Sequence, residues 1–300
     1  MDGKQLQTQY KEHLSDFNNW NQKEHAEDFI LYPKNIGYHL CIDETALSKG
    51  ELYTILTNRD KHGRKGTIVA IVKGTKAEDV INVLLKIDAD KRNQVKEITL
   101  DMAGSMQKIA KRCFPGAMQV VDRFHVSKLV YEAVQDLRIA YRWQVMKDEN
   151  RKIKEAKAKG ESYEPKVFGN GDTLRQLLAR SRYLLFKAPD KWLQSQKVRA
   201  KLLFEQFPDI KSVYYYALRL GKIFSDYTDK DVARAKLALW YNEIEEFGYD
   251  TFTTVANSIE NHYERILNYF VNRSTNAAAE AFNAKIKAFR ASFRGVVDKR

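Results

Sequence analysis

The sequence predicts an α/β fold: a mixed five-stranded sheet flanked by helices, with a large all-helical insertion before a last helix that carries an acidic residue. Three observations lead there. Up to residue 121, apolar and β-branched runs of strand length alternate with amphipathic helical stretches. Three of those runs end on an aspartate, namely Asp43, Asp101 and Asp122. From residue 123 to residue 272 helical spacing replaces the strand pattern, and an Ala-rich segment with Glu280 follows.

The elements follow in order. Residues 1–36 form a lead-in, expected to be helical. From Gly37 the chain reads as strands Tyr38–Ala46, Glu51–Asn58 and Thr67–Lys73, joined by Ser48-Lys49-Gly50 and by a Gly- and Lys-rich turn, an antiparallel meander. Thr75-Lys76-Ala77-Glu78 has the form of a capping box, and Val80, Ile81, Leu84, Leu85 and Ile87 give the helix an apolar face. A strand Val95–Leu100, a helix from about Ala103 to Phe114 and a strand Ala117–Val121 complete the order βββαβαβ, the order of a ribonuclease H-like sheet. Lys128–Lys159 reads as one nearly unbroken helix, Gly160–Asp172 as a linker and Asp231–Glu246 as a further helix. Asn276 is placed to cap the final helix. The expected division is 1–36 lead-in, 37–136 first part of the core, 137–272 helical insertion and 273–300 final core helix.

Composition narrows the function. The 300 residues are 44% hydrophobic, enough for a substantial core, and carry a formal charge of +12. The longest apolar runs, such as Ile68-Val69-Ala70-Ile71-Val72, have strand length, and the start shows no signal-peptide pattern, so a soluble cytosolic chain without a membrane span is expected. The two cysteines, Cys41 and Cys113, sit in apolar contexts and predict neither disulfide nor zinc knuckle. The charge is uneven. Residues 1–135 hold 20 basic against 18 acidic side chains, residues 137–199 hold 16 against 7, and residues 271–300 hold 7 against 2. Cationic flanks around a carboxylate centre suit a nucleic-acid enzyme, because phosphates need cations and a metal site needs anions. Solvated helix faces would give the same totals.

Asp43, Asp101 and Glu280 are the candidate catalytic and metal-holding residues. A carboxylate after an apolar strand points from a rigid end into a cleft, and hard oxygen ligands placed in this way hold Mg²⁺ against a phosphate. A lone strand-end aspartate more often caps a turn, and helical periodicity alone makes Glu280 a surface residue opposite the stripe of Phe282, Ile286, Phe289 and Phe293. Glu44 alternates to the other face of its strand, which makes it a poor ligand. Arg151, Lys152, Lys154 and Lys157, together with Lys285, Lys287, Arg290 and Arg294, are the candidate DNA-binding cations. Trp143, Trp192 and Trp240 are core residues by type, with base stacking as the alternative.

Four ordered motifs carry a family resemblance: Ile42-Asp43-Glu44-Thr45-Ala46-Leu47-Ser48-Lys49-Gly50-Glu51-Leu52-Tyr53, Thr99-Leu100-Asp101-Met102, Val121-Asp122-Arg123-Phe124-His125-Val126, and the run from Thr275 to Lys287 that contains Glu280. In these the chain resembles the ISL-type DDE transposases of bacterial insertion sequences, with the closer likeness to the ISAon-type branch. The resemblance implies a ribonuclease H-like fold with a helical insertion before the last acidic helix. It also implies catalytic Asp43, Asp101 and Glu280, two Mg²⁺ or Mn²⁺ ions, and cleavage and strand transfer at transposon ends. The implied partners are double-stranded DNA and further copies of the chain on it, in the bacterial cytosol at the nucleoid. Asp122, Arg123 and His125 match a further motif to which no chemical role attaches; a cap for Asp122 and packing for His125 are the plain readings. Many relatives begin with a zinc-binding segment and a helix-turn-helix, which this sequence lacks, so end recognition is expected on a separate polypeptide or the element is partial. A non-catalytic DNA-binding or assembly protein derived from a transposase, and a ribonuclease H-like nuclease, are the competing readings.

Overall fold

The computed structural model describes residues 3–48, 51–248, 250–275, 283–285, 287, 288 and 291. The chain divides into two compact units, one of Met1–Asp122 with Glu264–Arg300 and one of Arg123–Tyr263.

The first unit is built on a mixed sheet. Strands β1 (Phe29–Leu31), β2 (His39–Ser48), β3 (Glu51–Asn58), β4 (Ile68–Lys73), β5 (Glu97–Leu100) and β6 (Met118–Val121) lie in the order β1-β4-β3-β2-β5-β6. β2, β3 and β4 form the expected antiparallel meander, while β5 and β6 run parallel to β2. The sheet therefore has six strands rather than five. The additional strand, β1, lies in the lead-in expected to be helical and pairs with the edge strand β4 from Phe29 against Val72 to Leu31 against Ala70. Three residues are too few to show a period-2 pattern, so the pairing is invisible in the sequence. Gly37, just before β2, is required by crowding: a Cβ there would lie 2.6 Å from Asn58 Nδ2, which donates to the Asn35 carbonyl.

The helices of this unit are α1 (Gly3–Gln9), α2 (Ala77–Leu84), α3 (Ala89–Asn93) and α4 (Gly104–Cys113). The predicted capping box before α2 does not form, since Lys76 is the N-cap and makes no side-chain cap bond. The sheet holds the chain until that point: Gly74, at φ +86°, donates its N–H to the Leu52 carbonyl, and Thr54 Oγ1 donates to the Gly74 carbonyl. Helical geometry starts only after this tether. The apolar side chains of α2 and α4, including Val80, Ile81, Leu84, Met106, Ile109 and Ala110, pack with Leu40, Ile42, Leu56, Ile98 and Leu100 into one core on one face of the sheet. Both cysteines are free and buried.

The opposite face carries Asp43, Thr45, Glu97 and Thr99 together with the buried Cys41, Ile55 and Val120, and the returning chain, with α11 (Tyr263–Leu267) and α12 (Tyr269–Asn272), numbered after the helices of the second unit, bonds to it through Asn268, Asn272 and Ser274. That second unit is helical: α5 (Arg123–Ala158), α6 (Leu174–Arg180), α7 (Gln194–Gln206), α8 (Pro208–Asp226), α9 (Lys230–Phe247) and α10 (Asp250–Asn261). The helix expected from Lys128 starts five residues earlier, at Arg123, directly after the end of β6. The expected linker ends in a buried anchor, because Asp172 accepts bonds from Arg199 Nε at 2.7 Å and Arg180 Nη1 at 2.5 Å.

Glu97 is the main anchor on the polar face. Its side chain is buried, and Arg59 Nη1 at 2.7 Å, Asn272 Nδ2 at 2.7 Å and Ser274 Oγ all donate to its carboxylate. Burial alone would raise its pKa, but the bonds from Ser274 and Asn272 and the Arg59 charge outweigh it and hold the carboxyl below the ordinary 4.5. A folded-state value below the unfolded one gives stability that is present above about pH 4.5 and is lost as pH falls through the lower folded value. Glu97→Ala, which strands the Arg59 charge, is expected to cost about 3 kcal/mol. Urea unfolding at pH 7 checks it, and the difference from the parent protein is expected to shrink at acid pH.

Candidate active site

The site face begins from strand register. β2 and β5 pair as Cys41 with Thr99, and β5 and β6 pair as Thr99 with Val120 and Leu100 with Val121. Continuing each register by the next residues brings Asp43, in the middle of β2, level with Asp101 and Asp122, which directly follow the carboxyl ends of the parallel strands β5 and β6. Because side chains alternate with period 2, all three leave the sheet on the side of Cys41, Thr99 and Glu97, opposite the apolar core. Asp122 is held in place by its backbone N–H, which donates to the Leu100 carbonyl at 3.0 Å.

The three carboxylates differ in surroundings. Asp43 is half-buried; its Oδ1 accepts from the Glu44 N–H at 2.8 Å and its Oδ2 from Asn283 Nδ2 at 3.2 Å. Asp101 is half-buried and accepts from the Ala103 N–H at 2.8 Å, so it turns the chain into α4 in the way a lone strand-end aspartate would. Asp122 is only 1% exposed. Their fields overlap on neighbouring groups. The buried Cys41 thiol is pushed well up by desolvation first, then by the charges of Asp43 and Asp122. Glu44 is raised by desolvation and then by Asp101 and Asp43. Alternation turns Glu44 away, as expected, yet its carboxyl still lies inside the negative field of the site.

Two buried polar atoms on this face lack a partner. Asn283 Oδ1 has none, although the same amide donates to Asp43, and Thr45 Oγ1, two residues along β2 from Asp43, has none either. Thr45 is 4% exposed. Such acceptors cost free energy unless a donor or a cation meets them. Asn283, which the sequence offers only as a neighbour of Glu280 on the polar side of the last helix and within the fourth motif, thus stands beside Asp43.

Glu280, Arg290 and Arg294 lie outside the described residues. Among the described residues no three His, Cys, Asp or Glu side chains converge closely enough to hold a metal ion. Lys285 and Lys287 are exposed, as are Arg151, Lys152, Lys154 and Lys157 on α5, where Arg151 pairs with Asp148. Arg123 is exposed at the start of α5, and His125 is half-buried with its ring edge-on to Phe124. Trp240 is fully buried and Trp192 donates to the Leu184 carbonyl while stacking on Tyr214, but Trp143 is 59% exposed and takes no part in a core.

The model of a transposase family matches residues 40–299, from β2 to the end of the chain. The chain belongs to the ISL3-type DDE transposases. The match takes in all the positions just described, and the mixed sheet with flanking helices is the α/β arrangement consistent with the ribonuclease H-like fold of transposases. No curated protein and no solved structure matches the chain. Among the described residues no helix is long and apolar enough to cross a membrane.

The overlap of charges gives a direct test of the site geometry. Asp101→Asn is expected to bring the Glu44 carboxyl down toward its ordinary value, and by more than Asp43→Asn does. Carboxyl titration followed by NMR measures both; a Glu44 midpoint that ignores either substitution would separate it from the aspartates.

Proposed function

We propose that this transposase chain cuts and joins phosphodiester bonds at transposon ends, with Asp43, Asp101 and Glu280 as its catalytic carboxylates. The observation that carries the proposal is the register that sets Asp43, within β2, level with Asp101, just past the end of the adjacent parallel strand β5, on the side of the sheet opposite the apolar core. Two rigid strands fix both side chains, so neither needs to be ordered when substrate arrives.

The residues present suit divalent cations such as Mg²⁺ or Mn²⁺. Asp43 and Asp101 are hard oxygen donors in a shared negative field, and Asn283 offers a further buried oxygen without a partner. Glu280, three residues before Asn283 in the sequence, supplies the third carboxylate in this reading. A pair of bound ions would make an attacking water or 3′-hydroxyl more acidic and stabilise the leaving oxygen of an in-line displacement. The protein residues hold and orient: the Glu44 N–H and the Asn283 amide fix both oxygens of Asp43, and the Ala103 N–H fixes Asp101. Double-stranded DNA, bound along Arg151, Lys152, Lys154, Lys157, Lys285 and Lys287, is the partner, assembled with further copies of the chain and with a separate end-recognition polypeptide.

The full chain, with its end-recognition partner and a duplex carrying a transposon end, is expected to nick or join DNA only when Mg²⁺ or Mn²⁺ is added. Asp43→Asn, Asp101→Asn and Glu280→Gln are each expected to abolish the product while leaving duplex affinity within about twofold, since none removes a phosphate-binding cation. Intact binding without product in the parent protein, whichever ion is supplied, would leave a DNA-binding assembly protein as the correct reading.

A further inference from the structure

A second group of charges, wholly inside the helical unit, has no part in the site above. Arg138 and Arg142 stand one turn apart on α5, and i,i+4 neighbours share a helix face. Arg138 is 4% exposed; its Nε donates to Gln135 Oε1 at 2.8 Å and its Nη1 to the Leu178 carbonyl at 3.0 Å, both neutral acceptors. Gln135 completes the frame, because its Nε2 donates to the Arg182 carbonyl at 3.2 Å and so ties the segment after α6 to the same place. Arg182 is exposed, with its guanidinium over the ring of the exposed Tyr183. Arg142 is half-buried, and its Nε is buried without a partner.

Arg142 thus shares a face of α5 with Arg138, and Arg182 is held to the same frame through its backbone carbonyl. The charges acting on Arg138 are those of Arg142 and Arg182, which, after desolvation, lower its pKa; no carboxylate counters them among the described residues. The nearby Asp209 is a bonding partner of Tyr141. Like charges drawn together in a partly desolvated place, with a donor left unmet, are unfavourable in the free protein. Elsewhere in the same unit the chain solves this problem internally: Asp172 sits between Arg180 and Arg199. At Arg138 the counter-ion has to come from outside.

We propose that Arg138, Arg142 and Arg182 form a binding site for a backbone phosphate of DNA, separate from the exposed cations of the outer part of α5. The ligand class follows from the donors. Guanidinium groups present fixed forks of N–H that match the oxygens of a phosphodiester, and in the half-buried Arg142 the inner Nε is packed away, which leaves the outer N–H groups of the fork to face such a ligand. Arg138, pinned through Gln135 and Leu178, is the positioning member; Arg142 and Arg182 make the contacts. The choice of DNA rests on the transposase reading, whereas the test below uses no divalent ion and no cleavage, so a failure of catalysis leaves it untouched.

The experiment is duplex binding by the full-length chain in EDTA, with a labelled 30-base-pair duplex of arbitrary sequence, across a salt series. Arg142→Met and Arg182→Met are the variants, because Met keeps much of the side-chain length without charge. Each is expected to weaken binding to every duplex sequence and to flatten the slope of log K against log salt by about 0.9 for a lost phosphate contact. In the same variants the melting temperature is expected to stay level or rise, since a repelling charge has been removed, and added inorganic sulfate is expected to raise the melting temperature of the parent protein more than that of Arg142→Met. Unchanged affinity and slope would overturn the proposal. A fall in melting temperature in both variants alongside weaker binding would assign the cluster to packing, and equal displacement of the duplex by polyglutamate and by unlabelled DNA would point to an acidic protein instead.

Discussion

The burial of one carboxylate organises the sheet unit of this molecule. Glu97 opens β5 with its side chain almost wholly removed from water, and a charge in that position is tolerable only with strong partners. They come from widely separated parts of the chain: Arg59 from the end of β3, and Asn272 and Ser274 from 175 and 177 residues further along. Arg59 also donates to Thr99 Oγ1 in the middle of β5. Satisfying Glu97 therefore pins the returning segment to the polar face of the sheet. Asn268, which donates to the Gln119 carbonyl of β6, adds a second fixing point, and Asn283 reaches Asp43 beyond it.

The sheet can carry a polar face because its other face does the hydrophobic work. Leu40, Ile42, Ile98 and Leu100 alternate with Cys41, Asp43, Thr99 and Asp101, so one set of strands supplies both the core under α2 and α4 and the carboxylates opposite. This division has a mechanical consequence. The aspartates sit on strands whose alternate side chains are locked in a close-packed interior, which limits how far they can move. Desolvation first and then the charges of the aspartates raise Cys41 and Glu44, and the second of these contributions is the kind that a bound cation removes.

The helical unit shows the same trade in the opposite sign. At Asp172 the cations are matched by a buried anion, which makes that corner self-sufficient. At Arg138 the side-chain bonds go to the neutral Gln135 and Leu178 acceptors, and desolvation first, then the charges of Arg142 and Arg182, lower its pKa. Natural chains retain such local strain where function requires it, so unmatched charge is more informative than total charge. The same reasoning separates the cluster from the row at Arg151, where Asp148 and Glu155 already neutralise part of the field.

Much of the first unit was legible in the sequence because its signals are local. The meander, the parallel strands ending at Asp101 and Asp122, and the helix packed between them all announce themselves through alternation, apolar faces and Gly- or Pro-containing turns within about ten residues. The family followed from four short motifs for the same reason. Pairings between distant segments were not legible. β1 is three residues long and exists only because β4 offers it an edge; the start of α2 depends on Gly74 being tied back to β3; and Thr75 has the right neighbours for a cap that this tether forbids. Asp122 directly precedes α5, where a cap would stand, and only register shows that it is also level with Asp43 and Asp101. Asn283 and the arginine cluster belong to the same class, since an unmet hydrogen bond is a property of assembled neighbours and no single stretch of sequence contains it. The sequence by itself determined which residues are acidic, where strands end and which face of each is apolar. Only the tertiary structure decided which of those groups meet, because strand register and the partners of a buried group such as Glu97 come from segments far apart in the chain.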